Sequence, residues 1–294
     1  MFVSPGDVAF RIGSLSIYYY GIIMAASLTI SVLIASLITK KFYPKLNSEI
    51  IWDISPHIII GGIIGARAYY CLLGFQYFAN HPFETIQLWH GGLSIHGAII
   101  GGLIAGVTYA KKHKLPILKL CDIFTYGLVV GQAIGRWGNF FNSEAFGRPT
   151  ENFLKLYIPI YKRPLEYMQF DYFHPTFLYE SILDVCIFLI LFFVIRKIIQ
   201  KTNLNAITRQ LDEQETEDSA QSSQLTVHSS DGIIFFSYLI LYSIVRIAIE
   251  HIRIDSVLNI YGIPIAQIVS LLIIIVSIIS IFVIQSKNES IGRN

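Results

Sequence analysis

Residues 263–285 read IPIAQIVSLLIIIVSIISIFVIQ, an apolar run that contains no Asp, Glu, Lys or Arg. A helix needs about 20 mostly apolar residues to cross the hydrocarbon core of a bilayer, so this run predicts a membrane-spanning helix. Six earlier runs are similar, although Arg136 and Asn139 make the fourth the least apolar. The seven predicted spans are residues 16–38, 54–73, 92–110, 121–141, 177–195, 232–250 and 263–285.

The composition supports lipid as the solvent of this chain. Its 294 residues are 53% hydrophobic and only 14% charged, with a mean hydropathy of +0.56, whereas a soluble domain carries about 25% charged residues. A net charge of +2 without a basic block argues against nucleic acid as a partner. The three cysteines show neither a disulfide framework nor a paired zinc motif, so no metal is expected.

The Lys and Arg residues alternate between the loops, and this alternation predicts the orientation. The loop between Leu73 and Gly91 has none and the N-terminal segment has only Arg11. Cytoplasmic loops carry the excess of Lys and Arg, so we expect the N-terminus outside and the C-terminus in the cytoplasm. The basic residues assigned to the cytoplasmic side are Lys40, Lys41, Lys45, Lys111, Lys112, Lys114, Lys119, Arg196, Lys197, Lys201, Arg209, Lys287 and Arg293.

The fold predicted from these features is an all-α integral membrane protein with about seven transmembrane helices, forming a single polytopic domain over residues 1–294. Residues 142–176 are rich in Tyr, Phe and Pro and are expected to form a small outward-facing loop or head. Residues 202–231 are rich in Gln, Ser, Glu and Asp and are expected to be a disordered cytoplasmic loop. The N-terminal segment lacks the features of a secretory signal, so the first span is expected to be retained.

Small residues recur at four-residue spacing in three of the predicted spans. Such rows allow helices to approach closely in lipid, and packing is the preferred interpretation. The rows are Gly61 and Gly65, Gly97 and Gly101, Gly102 and Gly106, and Gly127, Gly131 and Gly135.

Ionisable groups within a membrane are expensive and need a partner or a function, and the stretch GRWGNFFNSEAFG at residues 135–147 holds several. Arg136 and Asn139 are three residues apart and would share one helical face. The planar guanidinium fork of arginine suits phosphate. The alternative is an Arg136–Glu144 ion pair that only locks the end of the helix.

A second polar stretch, WHGGLSIHG at residues 89–97, opens the third predicted span. His96 is a candidate base because imidazole titrates near pH ~6.5. His90 and His96 lack the spacing of a metal-binding helix motif. The alternative is a histidine that only satisfies its own hydrogen bonds.

Arg246, Glu250 and Arg253 lie at i, i+4 and i+7 at the end of the sixth predicted span, so a helix would show them on one face. Glu250 is expected to neutralise one arginine and leave the other for an anion. The alternative is a purely structural ion pair.

The stretch HPTFLYE at residues 174–180 opens the fifth predicted span. Its last residue, Glu180, lies inside an apolar run, where a lone carboxylate would be costly. Arg67, a second cation inside the predicted membrane region, is a possible partner.

These strings together resemble the prolipoprotein diacylglyceryl transferase family. The stretches at residues 135–147, 90–97 and 174–180 and the Arg246/Glu250/Arg253 face agree with its marked segments. Tyr20-Gly21 and Gly65-Ala66-Arg67 do so as well. The resemblance covers nearly the whole chain in order, and the inward acidic loop looks longer than is usual for the family.

The resemblance implies an enzyme of the bacterial plasma (inner) membrane that catalyses the first step of lipoprotein maturation. A diacylglyceryl group moves from phosphatidylglycerol to the thiol of the lipobox cysteine of a prolipoprotein. The product is a thioether, and glycerol phosphate leaves. The expected partners are therefore phosphatidylglycerol, the prolipoprotein lipobox segment and membrane lipid, and no cofactor is expected.

The resemblance also suggests roles for individual residues. The expected catalytic residues are His96 as the proton acceptor, and Arg136 and Arg246 as the holders of the leaving phosphate. The residues expected to bind phosphatidylglycerol are Tyr20, Arg136, Asn139, Glu144, Gly147, Arg246 and Glu250. The residues expected to support them are Arg67, His174, Glu180 and Arg253.

Two other classes remain open on the residues alone. A transporter or flippase for an anionic lipid or a small anion would use buried Arg and Glu equally well. A membrane-assembly scaffold would not need such a cluster of charges.

Overall fold

The chain is predominantly helical. A computed structural model describes residues 1–197, 200, 230–254, 259–260 and 263–291, so most of the predicted disordered loop at 202–231 lies outside the described residues. The helices are α1 Tyr19–Phe42, α2 Glu49–Leu73, α3 Phe75–Asn80, α4 Ile95–Lys112, α5 Ile117–Asn142, α6 Thr176–Leu189, α7 Ile233–Glu250 and α8 Ile265–Ile291. A π-helical segment, Ile190–Ile195, continues α6. Short 3₁₀ turns cover Pro82–Ile86, Leu88–His90, Ile160–Lys162 and Leu165–Tyr167.

Among the described residues, six helices are long and apolar enough to cross a membrane. They are Tyr19–Phe42, Glu49–Leu73, Ile117–Asn142, Thr176–Ile195, Ile233–Glu250 and Ile265–Ser286. The predicted class, an all-α integral membrane protein, is confirmed. The seventh predicted span, residues 92–110, lies on α4, which carries four glycines and ends on Lys111 and Lys112. Its 18 residues include these glycines and both lysines, and α4 is not among the six candidate spans. The count of seven and the orientation stay predictions.

The described chain divides into two compact units, and the smaller is Val32–Ile123. Its main feature is the close packing of α2 on α4. A Cβ on Gly65 would lie under 3.0 Å from the backbone of Gly97 and Gly101, and a Cβ on Gly97 or Gly101 would meet α2 in the same way. The predicted packing role of these glycines is confirmed, because they let two backbones touch where any larger residue would hold them apart.

The larger unit combines Met1–Ser31 with Phe124–Asn294 and contains a small sheet. Strand β1 (Phe2–Val3) pairs in parallel with β4 (Leu156–Tyr157), which pairs antiparallel with β5 (Tyr172–Phe173). Two hairpins complete the strands: β2 (Val8–Ile12) with β3 (Leu15–Tyr18), and β6 (Asn259–Ile260) with β7 (Ile263–Pro264).

The segment 142–176 packs around a small apolar core that it shares with Phe177 of α6. The core side chains are Phe146, Leu156, Ile158, Phe173 and Phe177. The outward location of this segment and the single domain over residues 1–294 stay predictions.

The contact between α2 and α4 can be tested by adding one methyl group. Gly65→Ala should lower the free energy of unfolding by about 1–3 kcal/mol, because backbone atoms cannot yield to the new Cβ. Gly62→Ala on the same helix is the matched control, because its nearest atom, Ala98 O, would lie at 3.4 Å. That change should stay within about 1 kcal/mol of the native protein. Unfolding midpoints of the purified proteins in detergent measure both, and equal midpoints would contradict the close contact.

Candidate active site

Polar side chains line one face of each of three apolar helices in the larger unit. Residues four apart share a helical face, and the polar residues follow that spacing. On α5 they are Gln132 and Arg136, followed by Asn139; on α6 they are Glu180 and Asp184; on α7 they are Tyr238, Tyr242, Arg246 and Glu250. Contacts between these helices turn the three faces into one buried polar region.

Glu180 is the centre of this region. Its Oε2 lies 2.6 Å from Nη2 of Arg136, and its Oε1 accepts a hydrogen bond of 3.1 Å from Nη1 of Arg253. The Glu180 side chain is only 5% exposed. One buried carboxylate therefore forms ion pairs with two guanidinium groups that come from different parts of the chain.

Two pairings suggested by the sequence are wrong. Arg67 is not the partner of Glu180, because its hydrogen bonds go to backbone carbonyls of its own unit. Arg136 pairs with Glu180 and not with Glu144. The Arg136–Glu180 pair depends on α5 and α6 being neighbours, and sequence spacing does not show that.

Arg246 and Glu250 form the predicted i, i+4 ion pair on α7. Nη2 of Arg246 lies 2.7 Å from Oε2 of Glu250, whose side chain is 3% exposed. Glu250 thus pairs with one arginine of this face, as expected. The other arginine, Arg253, is not left free, because it pairs with Glu180. Arg136 on α5 also donates a hydrogen bond of 3.4 Å to the hydroxyl of Tyr242 on α7.

Glu144 sits on a tight turn that ends α5. Oε1 of Glu144 accepts hydrogen bonds from Nδ2 of Asn139 (3.0 Å) and from Nδ2 of Asn142 (3.3 Å). The flanking residues Ser143 and Ala145 have φ of 48° and 53°, a left-handed conformation that is uncommon for non-glycine residues. The hydroxyl of Thr176 donates to the Ala145 carbonyl and secures the turn.

An open pocket of about 780 Å³ lies beside this turn. Its lining includes Tyr20, Glu144, Asp7 and Lys162. The ring of Tyr20 packs on Gly138, where a Cβ would lie 2.7 Å from Cδ2. Nζ of Lys162 donates a hydrogen bond of 2.6 Å to the carbonyl of Asn142. Sequence reasoning missed Asp7 and Lys162, because nothing in their neighbourhood separates them from ordinary surface charges.

Gly147 lies where three segments meet. Its amide donates a hydrogen bond of 3.0 Å to the His174 carbonyl, and it bridges Arg253 in antiparallel fashion. A Cβ here would lie 2.7 Å from Cγ2 of Ile252 and 2.8 Å from Cβ of His174. His174 Nδ1 shares a hydrogen bond of 3.1 Å with the Tyr179 hydroxyl. Partial burial lowers the pKa of His174 from its ordinary value, which favours the neutral ring.

Arg67 organises the segment that precedes His96 in the smaller unit. Its Nε donates to the Thr85 carbonyl at 2.9 Å, and its Nη1 donates to those of Gly91 at 2.7 Å and Gly92 at 3.0 Å. Nη2 donates to the Glu84 carbonyl. His96 is exposed near the start of α4. Arg136 and Arg246 lie in the larger unit, and the convergence of His96 with them stays a prediction.

The apolar helices and their buried arginine–carboxylate pairs define a multi-pass membrane protein with an internal site suited to an anion. Charged groups at such depth face a bundle interior or cavity and mark a functional site. The guanidinium groups of Arg136 and Arg246 provide the forked donors that match phosphate.

The comparisons with known proteins agree with this class. A family model described as "Prolipoprotein diacylglyceryl transferase" matches residues 7–210 and 219–283. The chain belongs to this family.

Several relatives are named "Phosphatidylglycerol--prolipoprotein diacylglyceryl transferase". One from Nostoc sp. is 42% identical over 271 residues, covering 92% of this chain and 86% of the relative. One from Synechococcus elongatus is 38% identical over 291 residues, covering 99% and 91%. One from Synechocystis sp. is 37% identical over 277 residues, covering 93% and 87%.

Replacing the carboxylate of Glu180, which Arg136 and Arg253 share, should destabilise the fold. Glu180→Gln should reduce the free energy of unfolding by about 3–5 kcal/mol, because Arg136 and Arg253 would then lose the charge that compensates them in a buried place. The matched control is Glu151→Gln, which breaks the surface ion pair with Lys155, where the Glu151 side chain is 85% exposed. That change should cost about 1 kcal/mol or less. Denaturant titration of both variants measures the difference, and equal losses would contradict the central place of Glu180.

Proposed function

We propose that this protein transfers the diacylglyceryl group of phosphatidylglycerol to the thiol of the lipobox cysteine of a prolipoprotein, in the bacterial plasma (inner) membrane. The thiolate sulfur attacks the glycerol carbon that carries the phosphate, the carbon–oxygen bond breaks, and glycerol phosphate leaves. Membership of the family and the names of the relatives support the substrates. The reaction would be the first step of lipoprotein maturation.

The observation that carries the proposal is that the two arginines use only part of their N–H donors. Within the described part of the chain, the polar contacts of Arg136 and Arg246 use Nη2 alone. A guanidinium has five N–H donors in a planar fork, so Nε and Nη1 of both residues remain for an anion. Their side chains keep 21% and 24% exposure, in contrast to the 5% and 3% of their carboxylate partners.

This arrangement suits the charge change of the reaction. Negative charge grows on the phosphate as the carbon–oxygen bond breaks, and preorganised donors in a site with little water stabilise such charge strongly. Arg136 and Arg246 hold the phosphate, and Glu180 and Glu250 fix their orientation. The binding site of the lipid headgroup beside them is lined by Tyr20, Asn139, Glu144 and Gly147.

The nucleophile also needs activation. A free thiol has a pKa of about 8.5, so a base or a positive field must favour its thiolate. His96 accepts the thiol proton in this proposal, and Arg67 holds the segment from which His96 projects. His174 and Arg253 support the headgroup side through the backbone that surrounds Gly147.

Product analysis tests the proposal against a transporter and a scaffold. The purified protein is incubated with phosphatidylglycerol and a lipobox peptide, and the mass of the peptide is measured by mass spectrometry. A mass gain of one diacylglyceryl group on the cysteine supports the transferase. Lipid movement between leaflets without a covalent product would favour a transporter, and neither result would favour a scaffold.

The arginines are tested by single changes at equal protein levels. Arg136→Ala and Arg246→Ala should each lower the transfer rate by about 100-fold or more, because the leaving phosphate loses a fork of donors. Arg→Lys at either position should restore little, since a point charge cannot replace two parallel hydrogen bonds. Arg148→Ala is the control, because Arg148 is exposed and lies close to the same segment. Full activity of Arg136→Ala would remove Arg136 from the mechanism.

The base is tested through the pH profile. His96→Asn should lower kcat by about 100-fold or more and remove the limb of the profile that reports the base. His113→Asn is the control, because the His113 ring stacks on Tyr109, with 4.2 Å between the ring centroids, at the other end of α4. Near-normal turnover of His96→Asn with a shifted pH profile would show that His96 is not the sole base.

A further inference from the structure

Asp184 is a buried carboxylate that the proposed reaction does not use. It lies one helical turn after Glu180 on α6 and is only 1% exposed. Its Oδ2 is enclosed and has no hydrogen-bond partner among the described residues. A buried polar atom in this state is rare and calls for a physical reason, especially within a helix that spans a membrane.

The groups around Asp184 come from three helices. Arg136 on α5 and Glu180 on its own helix interact with it electrostatically, and Tyr238 on α7 does so as well. The Tyr238 hydroxyl donates a hydrogen bond of 2.9 Å to Oε1 of Gln132, so it has no second hydrogen to donate to Asp184. Among the described residues, Arg136 is therefore the positive group that interacts with Asp184.

Among the described residues, the charges of these ion pairs and of an ionised Asp184 balance when no ligand is present. Arg136 and Arg253 supply two positive charges, and Glu180 and the ionised Asp184 supply two negative charges. Arg246 and Glu250 neutralise each other. A phosphodiester anion bound to Arg136 would leave one excess negative charge where the dielectric is low, and such a charge is costly unless a group is neutralised.

One of the two carboxylates is the better proton acceptor. Glu180 is held by two arginines at 2.6 Å and 3.1 Å, so protonating it would give up both ion pairs. Asp184 has an oxygen without a hydrogen-bond partner among the described residues. A proton on that oxygen breaks no described hydrogen bond, and it removes the excess charge.

We propose that Asp184 takes up one proton from solvent when a phosphodiester anion binds Arg136, so that anionic lipid binding is linked to protonation of a buried carboxylate. The carboxylate becomes a neutral carboxyl group, and no bond to the lipid forms. The inference rests on the proposed function, which places phosphatidylglycerol at Arg136. Linkage then requires the affinity for the lipid to fall by up to about tenfold per pH unit over the range in which Asp184 is ionised without lipid and protonated with it.

Calorimetry of lipid binding measures the proton directly. Dihexanoyl phosphatidylglycerol is titrated into the detergent-solubilised full chain at pH 8, in two buffers that differ in ionisation enthalpy. The phosphodiester does not titrate near this pH, so a difference in heat between the buffers reports protons taken up by the protein. We expect uptake of about one proton per lipid. Binding without proton uptake would overturn this inference and leave the proposed function intact, whereas no binding would overturn both.

Variants identify the group that takes the proton. Asp184→Asn should bind the lipid with proton uptake near zero and with a flat dependence of affinity on pH. Ser181→Ala is the matched control on the same helix, because it removes a buried hydroxyl that donates to the Ala133 carbonyl and changes no charge. It should keep the native uptake. Undiminished uptake in Asp184→Asn, or its loss in His174→Asn instead, would overturn the assignment to Asp184.

Discussion

The site depends on one carboxylate that two arginines share. Glu180 holds Arg136 and Arg253 at once, and these three residues come from separate segments of the chain. A guanidinium cannot lie at this depth without a counter-ion, so the ion pairs decide how α5 and α6 meet. The same ion pairs hold both guanidinium planes before any ligand arrives, which is the preorganisation that electrostatic catalysis requires.

Packing and chemistry are separated along the helices. The contact of α2 with α4 uses glycine rows, so backbones touch and no polar group is needed. The contacts of α5, α6 and α7 use polar side chains at four-residue spacing, so each helix shows lipid an apolar side and its neighbours a polar one. The rigid glycine contact and the ionic contact thus serve different purposes in one membrane protein.

The sequence alone predicted the class of fold because membrane spans are long and uncharged, and local spacing predicted the Arg246–Glu250 pair because i, i+4 neighbours lie on one helical face. It failed where the answer depended on which helices are neighbours. Glu180 was recognised as a buried carboxylate in need of a partner, yet Arg67 was suggested instead of Arg136 and Arg253. Asp184 met the same criterion one turn later and was missed.

Arg67 acts on its loop through main-chain carbonyls, and this has a consequence for evolutionary drift. A carbonyl is the same in every amino acid, so positions 84 and 85 can change identity without loosening the guanidinium that they bind. Positions 91 and 92 lack this freedom, because both have positive φ of 79° and 76° and a Cβ at Gly92 would strike Tyr70 and Arg67 itself. The loop can therefore vary in sequence at positions 84 and 85, whereas positions 91 and 92 are restricted to glycine.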